Sequence, residues 1–189
     1  MPTVTLIRHP ATPCATIRRF TVQARRTRAG SLALRYAIEG DPTGVRLPDP
    51  RPPHRADELW RRTCFEAFLA GRERAGYYEF NFAPSTEWAI YRFAAYRTGM
   101  TVVEPIAPPT ITLRVDADRL ELEAVARIAE PAAELGDAEL RLALSAVIEE
   151  QNGQRSYWAL RHPPGPPDFH HPDGFALPLD HIAPTTELT

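Results

Sequence analysis

The chain has 189 residues, 43% of them apolar and 24% charged, with a formal net charge of −2. That is enough sequence for one sizeable core, too little to favour two, and too near neutrality to make a global electrostatic case for nucleic acid. Its 22 Lys and Arg residues are all arginine, which excludes a Schiff-base lysine and a P-loop lysine.

The charge is uneven. Residues 1–62 hold 12 arginines against 5 acids, and the remainder holds 10 against 19. A basic face results unless strand pairing mixes the two regions and cancels the field, which is the simpler expectation. The 20 prolines are about twice the usual share. They cluster at 48–53, 105–109 and 163–167, which read as loops and argue against a helical bundle. Two cysteines, Cys14 and Cys64, do not make a disulfide framework. The opening MPTVTLIRHPATPC lacks an apolar signal-peptide core, and no apolar run reaches membrane-spanning length. The expectation is a cytoplasmic protein with reduced thiols and no membrane partner.

Residues 16–26 and 31–39 are β-rich runs around Arg28-Ala29-Gly30, a hairpin signal. Residues 57–70 are ambiguous. Asp57 is a helix-cap candidate, and Trp60, Cys64, Ala67 and Phe68 fall at helical spacing. The alternation of Cys64, Glu66 and Phe68 with Phe65, Ala67 and Leu69 equally suits a strand buried on both faces. Residues 77–82, YYEFNF, read as a strand, and 88–96 form a further aromatic run. Residues 110–115 and 120–126 flank a second hairpin turn, and the acid-rich stretch 130–139 suits a short helical turn. Residues 140–149 and 156–161 flank Asn152-Gly153, the strongest short-range hairpin signal. A last short strand falls at 175–179. Strands at hairpin spacing without a βαβ pattern imply an all-β, single-domain sandwich of about ten antiparallel strands over residues 1–189.

No enzyme signature is present: there is no G-x-G-x-x-G, H-E-x-x-H or C-x-x-C, and Ser85, Ser145 and Ser156 lack a nucleophile elbow. The segment 161–174 holds His162, Asp168, His170, His171 and Asp173. Adjacent His170 and His171 point apart if extended, so local backbone bonding is expected there and no transition metal. A structural calcium, which needs only oxygen donors, stays open. Cys64, in an apolar run, is expected to be a buried structural thiol, not the partner of a catalytic His170. Glu66, Glu79 and Asn81 are polar residues inside apolar strands. Buried, they must be satisfied, and a ligand can do so. Trp60, Trp88 and Trp158 supply apolar planes of the kind sugar rings stack on, although each taken singly also suits a core.

At 59–69, LWRRTCFEAFL, and 77–84, YYEFNFAP, the chain resembles the DOMON-like proteins, relatives of the family 9 carbohydrate-binding modules. The closing block 156–179, SYWALRHPPGPPDFHHPDGFALPL, resembles their last strands. The resemblance implies a β-sandwich, with 57–70 a strand. It also implies a non-enzymatic site for a sugar or sugar-like ligand, needing no cofactor. In that site Trp60 and Trp158 would be the two walls and Glu66 the acid, with Asn81 and Arg92 at the polar rim. Other DOMON-type domains bind haem through a Met and a His, so the alternative is a haem-binding redox module using Met100 and one of His162, His170 and His171. A small hydrolase or isomerase built on Glu66 and a histidine is a third option.

Overall fold

Period-two alternation over long apolar runs governs the architecture. The computed structural model describes residues 3–72, 75–136 and 139–179. Its strands and helix, in chain order, are β1 (Thr3–Thr5), β2 (Ile7–Arg8), β3 (Ile17–Arg26), β4 (Ser31–Gly40), β5 (Cys64–Gly71), β6 (Tyr77–Phe82), β7 (Trp88–Phe93), β8 (Thr101–Val102), β9 (Thr110–Val115), β10 (Arg119–Arg127), α1 (Ala129–Leu135), β11 (Leu140–Glu149), β12 (Arg155–Ala159) and β13 (Leu177–Leu179). Two antiparallel sheets make an all-β sandwich. The first has the order β1-β3-β4-β10-β9; the second runs β2-β12-β11-β5-β6-β7-β8, with β13 paired to the start of β11. The strand count exceeds ten because β1, β2 and β8 are only two or three residues long and offer no alternation to read.

The hairpins fall where the turn residues put them. Gly30 and Gly153 take φ of 75° and 83°, left-handed values that a Cβ disfavours. In segment 57–70, Leu59–Arg61 makes one 3₁₀ turn and β5 begins at Cys64. The helical spacing there loses to two ladders, because β5 is hydrogen-bonded to β11 on one side and β6 on the other.

Inward-facing side chains of both sheets form one cluster. It includes Phe20, Leu34, Tyr36 and Leu122 from the first sheet and Phe65, Leu69, Phe80, Leu144 and Trp158 from the second. Tyr36 is fully buried and donates its hydroxyl to the Glu66 carbonyl at 2.7 Å, a polar tie across the core. The outer face of the second sheet carries another cluster, with Phe68, Tyr77, Tyr91 and Phe93 packed beneath Phe169 and Phe175. The Pro-rich closing segment therefore covers this face. Cys14 and Cys64 are both free thiols, and Cys64 is buried. Among the described residues, no helix is long and apolar enough to cross a membrane.

Trp158 is 6% exposed, packs on Phe20 at 5.7 Å and donates its indole N–H to Ser156 Oγ at 2.9 Å. Trp158→Ala should cost about 3–5 kcal/mol, read as the shift in a urea or thermal unfolding curve. A loss under about 1 kcal/mol would contradict this packing.

Candidate functional site

Strand alternation sends Glu66, Glu79, Tyr91, Val147 and Tyr157 to the outer face of the second sheet. There they form the floor of a cleft of about 860 Å³. Loops raise its walls: Asp57, Glu58 and Trp60 on one segment, Arg97 and Met100 on another, and Pro167, Phe169 and His170 on the closing segment. The register sets neighbours directly. Ser145, Glu66 and Asn81 form one cross-strand row over β11, β5 and β6, and Phe68, Glu79 and Tyr91 form the next over β5, β6 and β7. Glu66 and Glu79 are thus diagonal neighbours on adjacent strands, within mutual electrostatic reach.

The floor is polar and incompletely satisfied. Glu66 is 2% exposed, and its Oε1 has no hydrogen-bond partner. Ser145 Oγ, on the opposed residue of β11, is likewise buried without a partner. Glu79 Oε1 accepts the Asn81 amide at 2.7 Å. Burial, then the charge of Glu79, pushes the Glu66 carboxyl well above the usual carboxylate range, with Arg97 opposing. Burial raises Glu79 too, against the Asn81 hydrogen bond and Arg97.

His170 stands over this floor. Its Nδ1 lies 2.8 Å from the Tyr77 hydroxyl, and its Nε2 lies 3.8 Å from Glu79 Oε2. The Arg97 backbone N–H donates to the same Tyr77 oxygen. In the tautomer whose Nδ1 accepts the Tyr77 proton, the ring N–H sits on Nε2, facing Glu79. Burial, then the Arg97 charge, lowers the His170 pKa to about 4, so the ring is neutral at physiological pH. Asp168 closes the corner. It accepts Arg97 Nη2 at 2.7 Å and the Tyr96 hydroxyl. Burial works against the Asp168 carboxylate, yet these two donors hold its pKa below the usual value. Glu58 and Arg97 have φ of 61° and 53°, left-handed conformations unusual for residues with a side chain. Both line the cleft, and such strain gathers at binding sites.

The proposed pair of tryptophan walls needs correction. Trp60 and Glu66 line the cleft. Trp158 belongs to the core between the sheets, because it lies one residue from Tyr157, and one residue reverses the face of a strand. Tyr157 is the residue of β12 that reaches the cleft. Asn81 is not a rim group; it is 1% exposed and bonds Glu79 from within the floor. Arg92 is removed from the cleft altogether, with its Nε bonded to Glu134 of α1 at 2.6 Å. Of the haem-ligand candidates, Met100 and His170 line the cleft. His162 bonds the Ile7 carbonyl and His171 the Asp173 backbone N–H. No group of three or more His, Cys, Asp or Glu among the described residues is placed to hold a metal ion.

No protein-family profile and no curated protein matches the chain. Among solved structures, a candidate carbohydrate-binding protein from Bacteroides uniformis superposes with a TM-score of 0.66 at 15% identity, over 95% of this chain and 87% of that one. A family 9 carbohydrate-binding module from Caldicellulosiruptor kristjanssonii, in complex with glucose, matches at 12% identity over 78% of this chain and 69% of that one, with a TM-score of 0.47. The likeness to the Bacteroides protein is one of fold.

Two outcomes follow from the geometry. Trp60 is 45% exposed, so Trp60→Ala should change stability by no more than about 0.5 kcal/mol, in contrast to Trp158→Ala. The second concerns Glu66. The folded chain holds its proton to a higher pH than the unfolded chain does, so its contribution to stability falls as pH rises from the ordinary carboxylate range through the raised pKa. Glu66→Gln should therefore gain on wild type between pH 5 and pH 8, by at most about 1.4 kcal/mol per pH unit. His170, whose pKa is lowered, works in the opposite sense, so the difference between the two proteins is the quantity to follow by urea unfolding. A difference independent of pH would show that Glu66 is not the titrating group.

Proposed function

We propose that the chain binds a sugar or sugar-like polyol in this cleft and does not turn it over, as a DOMON-like relative of the family 9 carbohydrate-binding modules. One observation carries the proposal: the floor of an aromatic-walled cleft holds a buried polar atom, Glu66 Oε1, that lacks a partner. Leaving such an atom unpaired costs about 1–3 kcal/mol, and a polyol's hydroxyl can donate to it or accept from it. Trp60, Phe93, Tyr157 and Phe169 offer the apolar planes on which a sugar's C–H faces pack. The fold shared with the candidate carbohydrate-binding protein of Bacteroides uniformis supports the same reading.

Haem is the second reading, because Met100 and His170 line the same cleft. The two floor carboxyls suit a polyol better than the apolar face of a porphyrin.

Isothermal titration calorimetry against a panel of mono- and disaccharides tests the proposal. At least one sugar should bind and be recovered unchanged. Trp60→Ala should weaken it by about tenfold or more without altering the melting temperature. Absence of binding at about millimolar sugar would overturn the proposal, and a Soret band on adding haem, abolished by His170→Ala, would replace it.

A further inference from the structure

The cleft is charged more heavily than a neutral sugar requires. Among the described residues, four carboxyls line it, those of Asp57, Glu58, Glu66 and Glu79, and Arg97 is the only lining arginine. Arg97 is already engaged by Asp168. On the rim, Asp57 is matched by Arg55 and Glu58 by Arg61. Glu66 and Glu79 remain on the floor. Among the described residues, the one hydrogen bond to either carboxyl comes from a neutral amide, that of Asn81 on Glu79. Glu66 Oε1 is enclosed and unpartnered in a residue 2% exposed. His170, the other basic group at the floor, is a neutral ring at physiological pH.

Two adjacent buried carboxyls are poorly tolerated. Desolvation penalises either charge, and their mutual repulsion penalises both together. A hydroxyl supplies one hydrogen bond and leaves that repulsion in place. A protonated amine supplies several donors and one positive charge, and so relieves both penalties. The walls favour the same group, since aromatic faces attract ammonium as well as C–H bonds.

We infer that the cleft selects a cationic sugar, a hexosamine whose protonated amine bonds Glu66 beside Glu79 while its ring packs on Trp60 and the other aromatic walls. This rests on the sugar-binding proposal and narrows its ligand class. Neutral hexoses bind more weakly, and uronic acids or sugar phosphates are repelled.

The experiment is calorimetry at pH 6.5 on matched pairs: glucose and glucosamine, galactose and galactosamine, mannose and mannosamine. N-acetylglucosamine and glucuronate are added as uncharged and anionic controls. In at least one pair the amine should bind about tenfold tighter or more than its neutral counterpart. Acetylation should remove the gain, and glucuronate should bind weakest. Glu66→Gln, shown folded by its melting curve, should bring the amine-to-neutral ratio close to one. Equal affinities within every pair would overturn the inference and leave the sugar-binding proposal standing. A preference that persists in Glu66→Gln would overturn the role given to Glu66. Binding of none of these sugars would overturn the inference, and the sugar-binding proposal falls with it only if the rest of the mono- and disaccharide panel fails to bind as well.

Discussion

The central strands β5 and β6 have no face left for water. Every residue of β6 is buried, and so is all of β5 apart from Ala70. One face of the pair meets the other sheet, where Phe65, Leu69 and Phe80 join the core. The other face must be roofed by loops, and loops do not fill a concave surface as a second sheet does. The space left over is the cleft. Polar residues placed on that face are consequently held in low dielectric, where each must be bonded by a neighbour, by water or by a ligand. The perturbed carboxyls of Glu66 and Glu79 follow from this double burial.

The roof is fastened from several directions. His9 Nε2 meets the Gly165 carbonyl at 3.0 Å, and His162 Nε2 meets the Ile7 carbonyl at 2.8 Å. The two rings contact edge to face at 4.8 Å. Further along, Phe169 leans on Tyr157, Asp168 is gripped by Tyr96 and Arg97, and Phe175 sits against Phe68 and Tyr77. The N-terminal segment thus contributes to the site without supplying a strand to its floor. Its crossing from β1 in one sheet to β2 in the other brings His9 and Thr12 to the roof and the rim.

Much of this was legible because strands announce themselves by parity. The hairpins at Gly30 and Gly153 and the run YYEFNF needed only local chemistry. Glu66 and Trp60 were recoverable because an acid inside an apolar strand and a tryptophan just ahead of it are both anomalous locally. Trp158 was not: aromatic residues occupy both faces of β12 at positions 157 and 158, and composition does not say which is outward. Only the register with Val147 and Ala146 decides it. Arg92 was drawn to α1 by Glu134, a pairing set by tertiary packing. Arg97 escaped notice because its place depends on a left-handed backbone in a turn. The histidine-rich segment was expected to bond its own backbone, which holds for His171, whereas His170 reaches 93 positions back to Tyr77.

The wall that carries Phe169 and His170 begins with Pro163, Pro164, Pro166 and Pro167. Proline fixes φ, so this stretch samples few conformations even in the unfolded chain, and its shape is largely set before any ligand arrives. A ligand entering such a cleft orders little of the protein, and little of the gross contact energy is spent on immobilising it. The closing segment therefore acts as a fixed jamb and not as a door. On the proposed reading of the cleft as a ligand site, exchange would require no rearrangement of this segment.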